Sequence, residues 1–185
     1  MQMKKILFFV AFYLFLADTS FAQSYSKTET ESRCNSLGNE IGAAIYGRDF
    51  KGLKMVANWG IKNCKNYIDR DTYYEQYGSL ALAERSLTNF AAAMKATDEC
   101  IKNRYGITVC HAETAAIYID LGDYKNAISS AKTTKLIATS KIEEAKRALR
   151  NGYISSSEKE LLESRINLNE SVLVFINDLL KNHDQ

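Results

Sequence analysis

The chain has 185 residues with no proline, only nine glycines and 46% apolar side chains, a composition that excludes collagen-like and disordered proteins. Its 24 basic and 22 acidic side chains give a net charge of only +2, without a long run of one sign. This balance argues against nucleic acid and against an anionic membrane surface as the main partner. Abundant alanine, leucine, lysine and glutamate, with no strand signal, predict an all-α fold.

The first 22 residues have the pattern of a secretory signal peptide. Lys4 and Lys5 form a positive start, an apolar run of 12 residues follows over 6–17, and residues 20–22 (Ser-Phe-Ala) give a cleavage site before Gln23. Twelve apolar residues fall short of the about 20 that span a bilayer as a helix. The pattern predicts a periplasmic or secreted mature protein without stable membrane insertion, and an uncleaved membrane anchor is the alternative.

Removal of 22 residues from 185 leaves 163, enough for one domain that buries about 70% of its unfolded-chain surface. Polar residues 23–29 are expected to form a flexible leader, and residues 30–183 a single helical domain. Capping boxes are expected where Thr72 precedes Glu75 and where Ser155 precedes Glu158. The expected helices run over residues 30–46, 49–64, 72–87, 89–102, 108–121, 123–150 and 155–181.

All four cysteines follow the predicted cleavage site, and an oxidising compartment favours two disulfides, for which three connectivities exist. The turn at residues 48 and 49 lies midway between Cys34 and Cys64, so these two meet at the open end of a hairpin. Cys100 falls near the end of one helix and Cys110 near the start of the next. The geometry therefore favours Cys34–Cys64 and Cys100–Cys110.

A redox or metal site is the alternative use of the cysteines. No Cys-x-x-Cys spacing occurs, and only His111 and His183 are present as imidazole ligands, so no metal and no cofactor are expected. His111 is expected to pack within its helix. The cluster of Tyr73, Tyr74 and Tyr77 is expected to pack in the interior, with a sugar-stacking platform as the alternative.

Three short segments carry the same turn pattern between apolar helical stretches. They are residues 47–50 (Gly-Arg-Asp-Phe), 87–90 (Leu-Thr-Asn-Phe) and 121–124 (Leu-Gly-Asp-Tyr), and they recur about every 34 to 40 residues. Gly122 can adopt the left-handed conformation that ends a helix, and Asp123 can cap the next helix. Repeats of this period predict stacked antiparallel helical hairpins.

Small and aromatic residues recur at matching places in the three hairpins. The matching residues are Ala115, Tyr118, Gly122, Tyr124, Ala127 and Ile128 in the third unit, Tyr77, Leu80, Ala81, Phe90, Ala93 and Cys100 in the second, and Ala44, Phe50, Ala57 and Gly60 in the first. Over residues 34–138 this pattern resembles the tetratricopeptide repeat family. The resemblance implies a stack of antiparallel hairpins that binds another protein.

In that family, ligands usually lie in a concave groove lined by the first helix of each hairpin. The resemblance implies a partner-binding surface formed by Ile45, Tyr46, Leu82, Arg85, Ala116, Ile119 and Asp120, with Asn35, Gly38, Gly42 and Ala112 beside them. Apolar side chains with one basic and one acidic group suit a helix or an extended peptide better than a phosphate. The alternative is that the chain's own last helix fills this groove.

The last expected helix is apolar over a wide arc. One row alternates steps of four and three residues, and a second row lies beside it. The rows are Leu162, Ile166, Asn169, Leu173, Ile176 and Leu180, and Leu161, Leu168, Val172, Phe175 and Leu179. The helix is expected to pack along the long sixth helix and close the stack. The alternative is that it swaps into, or dimerises with, a second copy.

No catalytic arrangement is present in the sequence. It has no Gly-x-Ser-x-Gly, phosphate-loop or His-Glu-x-x-His motif, so the protein is not expected to be an enzyme. The expected function is a non-catalytic, exported protein-binding module. One role for it is an immunity protein that neutralises a toxin acting in the periplasm, and the alternative is an adaptor or assembly factor of an envelope complex. An enzyme acting on the cell wall is a third alternative.

Overall fold

The computed structural model describes residues 26–150 and 154–183, and within these ranges it contains seven α-helices and no β-strand. The predicted all-α fold is confirmed, whereas the predicted signal peptide lies outside the described residues. The helices are α1 Lys27–Tyr46, α2 Phe50–Asn63, α3 Arg70–Ser86, α4 Phe90–Asn103, α5 Thr108–Asp120, α6 Tyr124–Arg150 and α7 Ser156–His183.

The first helix begins earlier than its expected start at residue 30. The Ser26 hydroxyl accepts the Glu29 amide hydrogen at 3.2 Å, and the Glu29 carboxylate accepts the Ser26 amide hydrogen at 2.7 Å. This capping box satisfies two of the donors that a helix start leaves unpaired. The prediction of a flexible leader is therefore wrong for residues 27–29, which are helical.

The start of α3 also differs from its expected cap at Thr72. The carboxylate of Asp69 accepts the amide hydrogens of Asp71 at 3.0 Å and Thr72 at 3.1 Å, so the helix begins at Arg70. A carboxylate accepts two amides at once, which a threonine hydroxyl does less well. The capping box that opens α7 is confirmed by reciprocal bonds between Ser155 and Glu158.

Consecutive helices pack against one another along the whole chain, which gives a stack of antiparallel hairpins. In addition, α3 packs on α5 and α5 on α7, so these three helices form one layer of the stack. Alanines at the crossings let helix backbones approach closely, and they are fully buried at positions 57, 81, 93, 115, 127 and 131. The first helix α1 packs mainly on α2, so a groove separates it from α3.

The three turns between the paired helices have the same geometry. Arg48, Thr88 and Gly122 occupy the left-handed region, with φ of 53°, 62° and 74°. After each of them, the amide of the next residue donates to a carbonyl five residues back, at 2.8 to 2.9 Å. These bonds satisfy the last carbonyls of the preceding helix. The conformation expected for Gly122 is confirmed, and two non-glycine residues adopt it as well.

Both predicted disulfides are confirmed. Cys34 and Cys64 join α1 to the end of α2 with Cα atoms 5.5 Å apart, and Cys100 and Cys110 join α4 to α5 with Cα atoms 6.3 Å apart. The first bridge lies in an apolar cluster with Leu37. The two bridges therefore hold α1 to its hairpin and α5 to the hairpin before it.

The last helix α7 packs along α6 and covers α5, as expected. Its Ile176 and Leu179 enter the apolar cluster formed by Ala112, Ala115 and Ala131. Side chains of the second apolar row remain exposed at residues 161, 168 and 175, and dimerisation through them stays a prediction. No helix in the described part of the chain is long and apolar enough to cross a bilayer.

Candidate functional site

The residues expected to form the partner-binding surface lie in three different environments. Ile45 and Tyr46 are at the end of α1, where Tyr46 is 92% exposed and Ile45 is 37% exposed. Leu82 is partly exposed on α3. These three side chains are accessible to solvent, and their role in partner binding stays a prediction.

Arg85 and Asp120 are paired with each other within the chain. The guanidinium of Arg85 contacts Glu113 at 2.9 Å and Asp120 at 3.0 Å, which ties α3 to α5. Burial opposes the charge of Arg85, but the attraction of the two carboxylates outweighs burial and holds the pKa of Arg85 above its usual value. These ion pairs join two hairpins, and the role of Arg85 and Asp120 in partner binding stays a prediction.

Ala116 and Ile119 are on the part of the predicted surface that the chain itself covers. Ala116 is 6% exposed, and Ile119 packs against the cluster that contains Ile176 and Leu179 of α7. The neighbouring Ala112 belongs to the same cluster. In the third hairpin, the alternative that the last helix fills the groove is therefore the one observed.

A concave site remains between α1 and α3, and we call it the α1–α3 groove. It has a volume of about 450 Å³ and includes Asn35 and Gly38 from the predicted surface. The connector between α2 and α3 closes one side of it. Its lining residues are Cys34, Asn35, Leu37, Gly38, Ile41, Tyr67, Ile68, Asp69, Thr72, Glu75, Gln76 and Ser79.

Gln76 of α3 lies at the base of the α1–α3 groove and is only 3% exposed. Neither Oε1 nor Nε2 of its carboxamide has a hydrogen-bond partner among the residues that the structure describes. A buried polar group without a partner costs about 1–3 kcal/mol. The side chain fits here because Gly60 has no Cβ, which would lie 2.0 Å from Oε1 of Gln76.

Glu75 lies beside Gln76 and also lines a small second cavity of about 40 Å³. Burial raises the pKa of the Glu75 carboxyl, and repulsion from Asp69 and Asp71 adds to this effect, whereas Arg165 and Lys141 oppose it. No ion pair with another described residue reaches the Glu75 carboxylate, because Arg165 pairs with Asp69 at 3.3 Å and Lys141 with Asp71 at 3.6 Å.

Two glycines of α1 face open space. A Cβ at Gly38 or at Gly42 would meet no atom within 4 Å, other than those of the helix itself and of chain neighbours. Glycine in a helix costs about 1 kcal/mol relative to alanine. The internal packing of the described chain therefore does not require either glycine, in contrast to Gly60 and to Gly78, whose Cβ would lie 2.9 Å from Val109.

The tyrosine cluster of α3 is engaged in packing. The ring of Tyr73 meets the rings of Tyr74 and Tyr77 edge-on, at centroid distances of 5.0 and 6.1 Å, and its hydroxyl donates to the carbonyl of Ile61 at 3.1 Å. Tyr74 and Tyr77 stack on each other at 5.8 Å and lie against the apolar cluster around the second disulfide. These contacts favour the packing interpretation over a sugar platform.

His111 is buried and bonded to the loop that precedes its helix. Its Nε2 lies 2.7 Å from the carbonyl oxygen of Tyr105, and the two rings meet edge-on at 4.8 Å. Burial lowers the pKa of His111, partly offset by this bond, so the neutral ring that donates to the carbonyl is favoured. Among the described residues, no three His, Cys, Asp or Glu side chains are grouped to hold a metal ion.

Comparisons with protein-family models, with curated proteins and with solved structures found no match to this chain. The functional interpretation therefore depends on the chemistry of the α1–α3 groove.

Proposed function

We propose that the protein is a non-catalytic, exported protein-binding module, similar to tetratricopeptide repeats, and that the α1–α3 groove takes a segment of the partner. The observation that carries this proposal is the carboxamide of Gln76, buried at the base of a groove without a hydrogen-bond partner among the described residues. Native proteins seldom leave such groups unpaired, because the cost falls directly on stability.

A peptide segment is the ligand that this groove fits. A carboxamide offers one acceptor and two N–H hydrogens, which complement the N–H and C=O of a peptide unit. Leu37, Ile41 and Ile68 supply an apolar wall for a side chain of the segment. The charged lining residues are Asp69 and Glu75, both acidic, so a phosphate or another anion would be repelled.

Export is part of the proposal because of the two disulfides. Bridges between α1 and α2 and between α4 and α5 form and persist in an oxidising compartment. A partner that proves to be a secreted toxin would assign the role of immunity protein, and an envelope component would assign that of an adaptor.

The test blocks the groove without disturbing the fold. After affinity capture and mass spectrometry identify a partner, its affinity is measured by calorimetry for Gly38→Trp, which fills the groove, and for Gly42→Trp, one helical turn further along α1. Both positions have open space at Cβ, and only Gly38 lines the groove. Gly38→Trp is expected to weaken binding at least about tenfold, or about 1.4 kcal/mol, while Gly42→Trp binds as the wild type does.

Two results decide the outcome. Wild-type affinity in Gly38→Trp, with an unchanged helical circular-dichroism spectrum, would refute the groove as the binding site. Tyr46→Ala serves as a comparison, because Tyr46 is the most exposed side chain of the surface that the sequence predicted. Loss of affinity in Tyr46→Ala alone would move the site to the end of α1.

A further inference from the structure

The charged side chains that line the α1–α3 groove are all negative. Its two charged lining residues are both carboxylates, Asp69 and Glu75. Asp69 is already neutralised by Arg165 of α7, at 3.3 Å, and its oxygens also accept hydrogen bonds from the start of α3. Glu75 is the carboxylate that remains available to a ligand.

The cations nearest to Glu75 are committed to other groups. Arg165 pairs with Asp69 at 3.3 Å and Lys141 pairs with Asp71 at 3.6 Å, so neither cation forms an ion pair with Glu75. A partly buried carboxylate without an ion pair of its own is stabilised strongly when a cation binds it, because both charges interact in a medium less polar than water. The groove therefore favours a cationic group of a ligand over an anionic one.

The backbone geometry of the site favours an extended segment over a helix. Within a helix, the main-chain N–H and C=O groups are already bonded to each other, so they cannot satisfy the Gln76 carboxamide. An extended segment presents both groups freely. Gly38 lets its backbone lie close to α1, since no side chain projects into the groove from that position.

We propose, on the basis of the function proposed above, that the α1–α3 groove recognises an extended segment with a lysine or arginine, with Gln76 paired to its main chain and Glu75 to its charge. Binding then requires the ionised form of Glu75. Since burial and the neighbouring Asp69 and Asp71 favour the protonated form, affinity increases as the pH rises through the titration of Glu75.

Three small probes test this inference without a known partner: the N-acetyl, N′-methylamide derivatives of lysine, norleucine and glutamate. Each offers one complete main-chain unit, and their side chains end in an ammonium, a methyl group and a carboxylate. Binding is followed by ¹H–¹⁵N correlation NMR at the side-chain NH₂ of Gln76. We expect the lysine probe to shift these signals and to bind about fivefold or more tightly than the norleucine probe at pH 7, with the glutamate probe weakest.

The variants assign the two contacts separately. Glu75→Gln is expected to abolish the preference for lysine over norleucine, and Gln76→Leu to weaken both probes together. Glu144→Gln removes an exposed carboxylate of α6 away from the groove and should leave the preference unchanged. The lysine preference should also decline on acidification in the wild type and not in Glu75→Gln.

Equal affinity for lysine and norleucine would overturn the inference, and so would the absence of a shift at Gln76 with all three probes. Neither result bears on whether the groove binds a partner, which the comparison of Gly38→Trp with Gly42→Trp decides. A lysine preference that persists in Glu75→Gln would also refute the proposed contact.

Discussion

At the residue scale, the three interhelical turns share one geometry but use three different residues at the left-handed position. Gly122 has no Cβ to clash there, whereas Arg48 and the β-branched Thr88 have one. The sequence indicated a left-handed residue only at Gly122, because glycine is the residue type that most favours this conformation. At Arg48 and Thr88, the conformation is accompanied by a bond from the next residue's amide to a carbonyl five residues back.

The left-handed backbone at Thr88 and at Gly122 predicts opposite effects on stability for two substitutions. Thr88→Gly should stabilise the protein by about 0.5–1 kcal/mol, since relief of the left-handed strain exceeds the extra entropy of glycine in the unfolded chain. Gly122→Val should destabilise it by at least about 1 kcal/mol. Urea unfolding measures both. A destabilised Thr88→Gly would mean that the turn carries no strain.

A second prediction concerns the close approach of Gly60 to Gln76. A Cβ at position 60 would lie 2.0 Å from Oε1 of Gln76 and 2.4 Å from Cδ2 of Leu37, so Gly60→Ala overpacks the base of the groove. We expect a loss of about 1–2 kcal/mol despite the better helix propensity of alanine. Gly42→Ala, with no neighbour within 4 Å of its Cβ, is the matched control and should be neutral or stabilising.

The same pair of residues allows a double-mutant test. If the clash involves the Gln76 carboxamide, Gln76→Ala should recover part of the loss caused by Gly60→Ala, with a coupling of about 0.5 kcal/mol or more. Thermal and urea unfolding of the four proteins measure this coupling. Strict additivity of the two substitutions would contradict the contact.

A third prediction follows from the raised pKa of Glu75. Because the folded protein holds this proton more tightly than the unfolded chain, Glu75 contributes stability below its unfolded-state pKa, near the usual 4.5, and this contribution is lost as the pH rises through the folded-state pKa. Glu75→Gln lacks this titration. The variant should match the wild type near pH 3.5 and become more stable than the wild type as the pH approaches neutrality.

The measurement is the free energy of unfolding in urea between pH 3.5 and 7.5 for both proteins. Groups that titrate identically in the two proteins cancel in the difference. A difference that stays flat across this range, or that favours the wild type at neutral pH, would show that the charge of Glu75 is not penalised in the fold.

At the scale of elements, the sequence indicated all seven helices of the described chain, because their apolar periodicity is long and regular. The expected starts of α1 and α3 are wrong, because a capping side chain outside the apolar pattern sets the first helical residue. Ser26 extends α1 into residues expected to be flexible, and Asp69 begins α3 before the expected cap at Thr72. A cap depends on one or two side-chain hydrogen bonds, which periodicity does not reveal.

The candidate site was only partly predictable for a related reason. Helix phase grouped Asn35 and Gly38, which both line the α1–α3 groove, but it could not show that Arg85 pairs with Glu113 and Asp120 across two hairpins. Such pairs depend on the rotation of one hairpin relative to the next. The polar Gln76 on a buried face of α3 was the available signal for the site, and it is recognisable only when that face is known to be buried.

At the scale of the whole molecule, each disulfide supports a different part of the stack. The Cys34–Cys64 bridge closes a separation of 30 residues and ties down α1, whose main neighbour is α2. The Cys100–Cys110 bridge closes a separation of 10 residues between two helices that other contacts also hold. The α1–α3 groove therefore depends on the first bridge more than on the second, because Cys34 lines it.

The last prediction compares the two bridges directly. In the chain-entropy treatment, a loop of this longer separation contributes about 3.6 kcal/mol and the shorter one about 2.7 kcal/mol, so Cys34→Ser/Cys64→Ser should lose more stability in urea than Cys100→Ser/Cys110→Ser. Because α1 has few other neighbours, its amides should also exchange with deuterium faster in the first variant, while those of α5 and α6 stay protected. Uniform loss of protection along the chain would instead mean that α1 unfolds only together with the rest of the stack.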